Sequence, residues 1–215
     1  MNAHDKPRII AIEGPIGVGK TTFASRLARR LEAGLVLEQT DNPFLEPFYK
    51  DRRGAAFSAQ IWFLLSRHAQ LKDLRQAHLF HRSVVCDYLF EKDRVFAYLN
   101  LNDTELATYE RLYQLLSPDI VRPDLVVYLQ ARVPSLTKRL AERGRDIERR
   151  ISEGYLDETV QACDHFFFRY NDAPLLVVDT NDIDPAHEDS DFEDLVRRIQ
   201  AMDRGGIEYY KPRSL

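Results

Sequence analysis

Cysteine is nearly absent: Cys86 and Cys163 are the two in 215 residues. Neither stands at metal-ligand spacing, which argues against a disulfide framework or thiolate metal site and for a reducing, cytoplasmic setting. No apolar run approaches the ~20 residues of a membrane span. The opening MNAHDKPR lacks the apolar stretch of a signal peptide. Positive charge is not in excess either. Thirty basic against thirty-four acidic residues leave a formal −4, which argues against a dedicated nucleic-acid binder, whose phosphate contacts need a basic face. No repeat or low-complexity linker divides the chain. What is present is an ordinary globular composition, 44% hydrophobic and 30% charged, in a length suited to one large α/β domain. We read residues 1–204 as that domain and 205–215 as a C-terminal tail without a role.

The charges that are present are unevenly placed. Residues 132–150 carry seven basic and three acidic side chains, and residues 179–203 carry nine acidic and two basic. The acidic segment reads as a solvated helix face.

Short apolar runs recur at Arg8–Ile12, Leu35–Leu37, Ser83–Cys86, Leu125–Leu129 and Leu175–Val178. They lack period-2 alternation, as strands do when a parallel sheet is covered on both faces. Helical patterns lie between them. Phe23, Leu27 and Leu31 share one face, with Gly34 as the expected stop. Phe57, Ile61, Leu64, Leu65 and Leu71 mark a long helix. Leu106 to Leu116 mark another, ended by Pro118, and Asp189 begins a last one through Phe192, Leu195, Val196 and Ile199. Alternating strands and helices predict a doubly wound α/β fold with right-handed crossovers.

Gly14-Pro15-Ile16-Gly17-Val18-Gly19-Lys20-Thr21 fits G-x-x-x-x-G-K-[ST] and lies between the first strand and an amphipathic helix. Glycines allow backbone N–H groups to turn inward around phosphates, and the helix N-terminus adds its dipole. Lys20 is placed for the β/γ-phosphates and Thr21 for Mg²⁺, with Thr22 next to it in the nucleotide site. Asp87 ends the run SVVCD and is a candidate second group for Mg²⁺, with a helix N-cap as the structural alternative.

The phosphate acceptor is the open question. A GTPase would need N-K-x-D after a late strand, but VVDTNDID contains no lysine. It would also need D-x-x-G, and Asp87-Tyr-Leu-Phe lacks the glycine. Glu38 follows an apolar run at the edge where an open α/β sheet binds ligands, and a carboxylate there can take the proton of an attacking alcohol. Gln60 stands in an otherwise apolar helix. Its amide offers a donor and an acceptor together, and Arg67, seven residues on, shares its face. Arg139, Arg143 and Arg145 cluster around Gly144, where a mobile segment could close over a transferring phosphate.

Together these pieces resemble the deoxynucleoside kinases, and the bacterial purine branch in particular. The matching stretches are EGPIGVGKTT, NPFLEPFYKD, AFSAQIWFLLSR, DYLFEKDRVFA, PDLVVYL and RLAERGRDIERRISEGYL, in family order over roughly residues 8–180. The resemblance implies a P-loop three-layer sandwich: a five-stranded parallel sheet flanked by helices, with a short arginine-rich lid. It also implies ATP and Mg²⁺, a small-molecule nucleoside substrate and a homodimer with helices at its interface. Glu38 then resembles the general base for the nucleoside 5′-hydroxyl. Gln60 and Arg67 resemble the base-edge pair, and Phe96 the aromatic that packs on the base. Tyr49 and Glu148 are similar to the residues at the deoxyribose 3′-hydroxyl. Arg139, Arg143 and Arg145 resemble the lid arginines on the phosphates. Asp182, Ile183 and Asp184, after Asn181, resemble the loop beside the ATP adenine.

Two departures stand out. Glu38-Gln39-Thr40 replaces a common Glu-Pro-Val. Asp87-Tyr88-Leu89 replaces a common Glu/Asp-Arg-Ser, so a tyrosine stands where an arginine usually lies near the 5′-hydroxyl. Either that charge falls to Arg67 or a lid arginine, or turnover is slower, and the residue that tunes base choice is Lys92 or Asp93. A thymidylate-like monophosphate kinase is the enzyme alternative, with Arg67 as its phosphate clamp. A non-catalytic nucleotide-binding module is the other.

Overall fold

Ile9 to Ile12, Val84 to Cys86, Leu125 to Leu129 and Leu175 to Val178 are all buried, because each strand is covered on both faces. The computed structural model describes residues 8–50, 54–77, 83–146, 148–202 and 205–211. The opening residues 1–7, and Pro212 of the tail, lie outside them.

In chain order the elements are β1 (Arg8–Glu13), α1 (Lys20–Arg30), β2 (Gly34–Val36), α2 (Leu45–Lys50), α3 (Ala56–Ala77), β3 (Ser83–Cys86) and α4 (Asp93–Asn100). They continue with α5 (Asp103–Leu116), β4 (Leu125–Gln130), α6 (Val133–Arg143), α7 (Glu153–Phe168), β5 (Leu175–Asp179), α8 (Asp189–Ala201) and β6 (Ile207–Tyr210). The sheet order is β2-β3-β1-β4-β5-β6, and every pairing is parallel.

Alternate residues of the central strands feed two cores. Ile10, Ile12, Val127, Leu129 and Val178 meet Phe23 and Leu27 of α1, Leu136 of α6 and Phe192, Leu195 and Ile199 of α8. Ile9, Val84 and Cys86 meet Leu64 and Leu71 of α3, Ala97 of α4 and Tyr109 of α5 on the other face. Val126, Tyr128 and Val177 meet Cys163 and Phe167 of α7 there. The expected three-layer arrangement is present. The acids of 188–194 face outward, and Asp189 and Glu193 pair with Arg26 and Arg30 of α1. Among the described residues no helix is long and apolar enough to cross a membrane.

Two expectations are corrected. The sheet has six strands rather than five. The segment after Gly205 supplies the sixth, pairing Ile207–Tyr210 with Leu175–Val178. Its side chains are largely exposed, so IEYY carries none of the two-sided apolar character that marks the inner strands. Tyr210 is held by its hydroxyl on Asp194 and by Arg198 stacked 4.3 Å from its ring centroid. The stop of α1 is also not Gly34, which opens β2. Glu32 takes the left-handed conformation at φ 52. Glu32 N–H donates to Arg29 O at 3.3 Å and Ala33 N–H to Ala28 O at 2.9 Å, the paired bonds of a Schellman turn.

A side chain in that conformation costs roughly 1 kcal/mol relative to glycine. Glu32→Gly is expected to raise unfolding stability by about that amount, while Glu32→Ala leaves it nearly unchanged. Urea unfolding midpoints measure both.

Candidate active site

The phosphate loop spans the end of β1 and the start of α1. Glycine is required at Gly14, where a Cβ would stand 2.5 Å from the carbonyl oxygen of Leu129. Gly19 caps α1 at φ 101, a left-handed geometry that glycine adopts without strain. Lys20 folds back over the loop and donates to Gly14 O at 3.0 Å and Pro15 O at 3.2 Å. Burial, and next the positive charge of Lys92, lower its pKa. An arriving phosphate would offer the ammonium stronger, charged acceptors than these carbonyls.

Thr21 donates its hydroxyl to Asp87 Oδ2 at 2.6 Å. Asp87 Oδ1 accepts Glu38 N–H at 2.6 Å. Asp87 is therefore not a helix N-cap; it joins the tip of β3 to the phosphate loop and to the residue after β2. A hydroxyl and a carboxylate meeting at the phosphate site form a hard-oxygen set suited to Mg²⁺. Among the described residues no group of three or more His, Cys, Asp or Glu side chains could hold a metal. Phosphate oxygens and water would have to complete such a shell.

Beside this loop opens a cavity of about 280 Å³. Glu38, Tyr49, Gln60, Arg67, Asp87, Phe96, Arg143, Arg145 and Glu148 all line it, together with Ile16, Gly17, Lys20 and Thr21. Asn42 launches the α2 side of the wall: its Oδ1 accepts Phe44 N–H at 2.9 Å and its Nδ2 donates to Ala59 O at 3.1 Å. That turn sets Phe48 and Tyr49 facing the pocket. Burial raises the Tyr49 hydroxyl's pKa, with Tyr155 and Glu148 adding to the shift, so it stays a neutral hydrogen-bonding group.

Arg67 is the centre of the wall opposite the loop. Its Nε donates to Glu38 Oε1 at 2.9 Å, and a second nitrogen reaches the same oxygen. Nη1 donates to Asp93 Oδ1. Its guanidinium lies 4.9 Å from the Phe63 ring centroid. Gln60 Nε2 donates to Asp93 O at 3.0 Å, and Tyr109 hydroxyl to Asp93 Oδ2 at 2.5 Å. Asp93, one of two candidates for tuning base choice, is thus wired to both residues expected at the base edge. Lys92, the other, points to the phosphate loop. Burial alone would raise the pKa of Glu38, but Arg67, Lys20 and Lys92 outweigh it and hold the carboxylate below the ordinary range. Glu38 is ionised and able to accept a proton from an alcohol.

The lid arginines separate. Arg143 Nε donates to Glu148 Oε2 at 2.8 Å, and Arg145 Nη1 lies 3.8 Å from Glu148 Oε1. Gly144 ends α6 at φ 67 between them. Arg139 does not line the cavity. It donates to Thr180 Oγ1 at 3.1 Å, Thr180 O at 2.6 Å and Ile183 O at 3.1 Å, and reaches Val18 O at 3.5 Å. It ties the loop after β5 to the phosphate loop. That loop, with Asp182, Ile183 and Asp184, lies outside the acceptor cavity but against α1: Arg26 Nη1 donates to Ala186 O at 3.1 Å.

Sequence reasoning missed Glu13. It is 3% exposed and accepts Gly14 N–H at 2.9 Å, Leu89 N–H at 2.8 Å and the ammonium of Lys92. The acid before the first P-loop glycine, inside an apolar strand, was the available signal. Tyr88, 3% exposed, has a buried hydroxyl with no hydrogen-bond partner among the described residues.

A phosphate loop, a hydroxyl–carboxylate pair and a charged carboxylate facing an acceptor cavity define a P-loop phosphotransferase. The deoxynucleoside kinase family model matches residues 10–202. The chain belongs to that family and is an ATP-dependent kinase. It is 32% identical to the deoxyguanosine kinase of Bacillus subtilis (strain 168) over 199 residues, covering 90% of this chain and 96% of that one. It is 29% identical to the deoxyadenosine/deoxycytidine kinase of the same organism over 215 residues, covering 94% and 97%. The solved structure of deoxyadenosine kinase from M. mycoides with bound dATP matches at a TM-score of 0.74 and 26% identity, covering 90% of this chain and 99% of that one.

Glu38 releases its proton more readily in the folded than in the unfolded chain. Its ionisation therefore adds stability above the unfolded glutamate pKa of roughly 4.3, and this is lost as pH falls through the lower folded value. Glu38→Gln is expected to be less stable than the native chain at pH 7, with the gap closing as pH drops below about 4. Urea unfolding across that range measures it.

Proposed function

We propose that this chain transfers the γ-phosphate of ATP to the 5′-hydroxyl of a deoxynucleoside, with deoxyadenosine or deoxyguanosine preferred, in nucleotide salvage. The observation that carries the reading is the place of Glu38: ionised by Arg67, bonded through its N–H to Asp87, and facing the cavity beside Lys20. In this reading Glu38 takes the 5′-hydroxyl proton. Tyr49 and Glu148 hold the sugar, Gln60 and Arg67 the base edge, and Phe96 packs on the base. Arg143 and Arg145 turn from Glu148 to the phosphates when the lid closes. Thr21 and Asp87 would hold Mg²⁺, which supplies charge neutralisation at the phosphate oxygens when bound. Asp182, Ile183 and Asp184 would flank the adenine of ATP. Arg139, with its donors on carbonyls, braces that loop. Positioning and electrostatics supply most of the rate gain.

Purine preference draws on the names of the relatives and on the Gln60–Arg67–Asp93 wiring. A nucleoside acceptor is favoured over a monophosphate because Arg67 is already engaged by two carboxylates and is not free to clamp a phosphate. A homodimer is supported by Tyr98 of α4 and Phe168 of α7, 57% and 76% exposed in the isolated chain. A particle of twice the 25.0-kDa chain mass by light scattering would agree with it. A cytoplasmic setting is supported by two free cysteines, both buried.

ADP release from Mg·ATP is expected with deoxyadenosine or deoxyguanosine and not with dAMP, dGMP or dTMP. Glu38→Gln should lower kcat by roughly 10²–10⁴-fold while ATP binding persists. Turnover of a monophosphate would instead make Arg67 a phosphate clamp. Silence on every acceptor would favour the binding module.

A further inference from the structure

A buried cation beside the phosphate loop has no part in phosphate binding in the reading above. Lys92 is 3% exposed and lines the cavity beside Lys20. Its ammonium donates to Gly14 O at 2.7 Å and to Glu13. Lys20 donates to that same Gly14 oxygen at 3.0 Å. Two ammonium groups from distant parts of the chain therefore meet on one carbonyl oxygen of the phosphate loop. Like charges so close in a buried place repel strongly unless an anion joins them. Glu13 bonds to Lys92 and already accepts two backbone N–H groups, while Lys20 feels Glu13, Glu38 and Asp87 only through space. An ammonium has three donors; that of Lys92 gives two to Glu13 and Gly14 O and lies 5.3 Å from the Phe96 ring centroid.

We propose that Lys92 is a second phosphate-binding lysine, which donates to the γ-phosphate of ATP from the acceptor side while Lys20 reaches it from the loop. This rests on the reading of the site as an ATP-dependent kinase. It places a cation where Tyr88, adjacent on the same turn, brings none. The effect of Lys92 on the ionisation of both Lys20 and Glu38 agrees with a charge standing between donor and acceptor. The bland alternative is a purely structural Glu13–Lys92 latch between the phosphate loop and the turn after β3.

Calorimetric titration of ATP and ADP, with magnesium and without nucleoside, separates the two. Lys92→Met is expected to lose at least tenfold in ATP affinity and to keep ADP affinity within twofold, since ADP lacks the phosphate in question. Lys92→Arg should retain most of the ATP preference. The double variant Glu13→Gln/Lys92→Met removes both buried charges. It should melt near the native temperature yet keep the ATP defect, so the test survives if the single variant fails to fold. Equal weakening of ATP and ADP in Lys92→Met, or native ATP affinity in the double variant, would overturn the proposal in favour of the latch. Absence of nucleoside turnover in the native protein would overturn the acceptor assignment alone, because the ATP-to-ADP affinity ratio is read without an acceptor.

Discussion

A buried guanidinium between two carboxylates organises the acceptor side of this protein. Arg67 comes from the middle of α3, Glu38 from the chain after β2 and Asp93 from the first turn of α4. Removing such charges from water costs several kcal/mol each, and only close, well-directed partners offset that cost. The three segments are therefore obliged to stay in register. Glu38 inherits an orientation and a charged state, Asp93 inherits an anchor for Gln60 and Tyr109, and the cavity between them inherits its shape. Loss of Arg67 would leave Glu38 and Asp93 without the cation that joins them, which is a worse outcome than the loss of one contact.

Asp87 extends the same logic to the donor side. Its two oxygens connect Thr21 on α1 to the backbone of Glu38. Thr21 stands in the phosphate loop and Glu38 beyond β2, so one carboxylate at the tip of β3 fixes the separation between them. In the proposed reaction, geometry sensitive to fractions of an ångström would be set by side chains held at the ends of adjacent parallel strands and the start of α1.

Much of this was readable in the chain. The phosphate loop is a local pattern whose geometry follows from its own glycines. Glu38 and Asp87 stand at the ends of apolar runs, and Gln60 and Arg67 share a helix face by spacing alone. What was not readable depends on the path of the backbone between elements. Whether Lys92 or Asp93 faces Arg67 is decided by how six residues turn from β3 into α4. The divergence of Arg139 from Arg143, one helical turn apart, depends on the loop after β5 lying within reach of one and not the other. β6 escaped notice because an edge strand with exposed side chains lacks the two-sided apolar pattern, and the turn of Glu32 because a glycine stood nearby to mislead.

The strand order has a consequence for how the protein is made. β1 pairs with β3 on one side and with β4 on the other, and Ile9 N–H is held by the carboxylate of Asp124. Gly14 fits under the carbonyl of Leu129. As the polypeptide leaves the ribosome, its nucleotide-binding segment emerges before β3 and β4 and cannot take its final shape until β4 follows. Closing such long loops is slow, since the entropy is lost before the contacts are gained. Until β4 is made the nascent chain thus carries an unformed phosphate loop, and competence to hold nucleotide waits on a strand more than a hundred residues downstream.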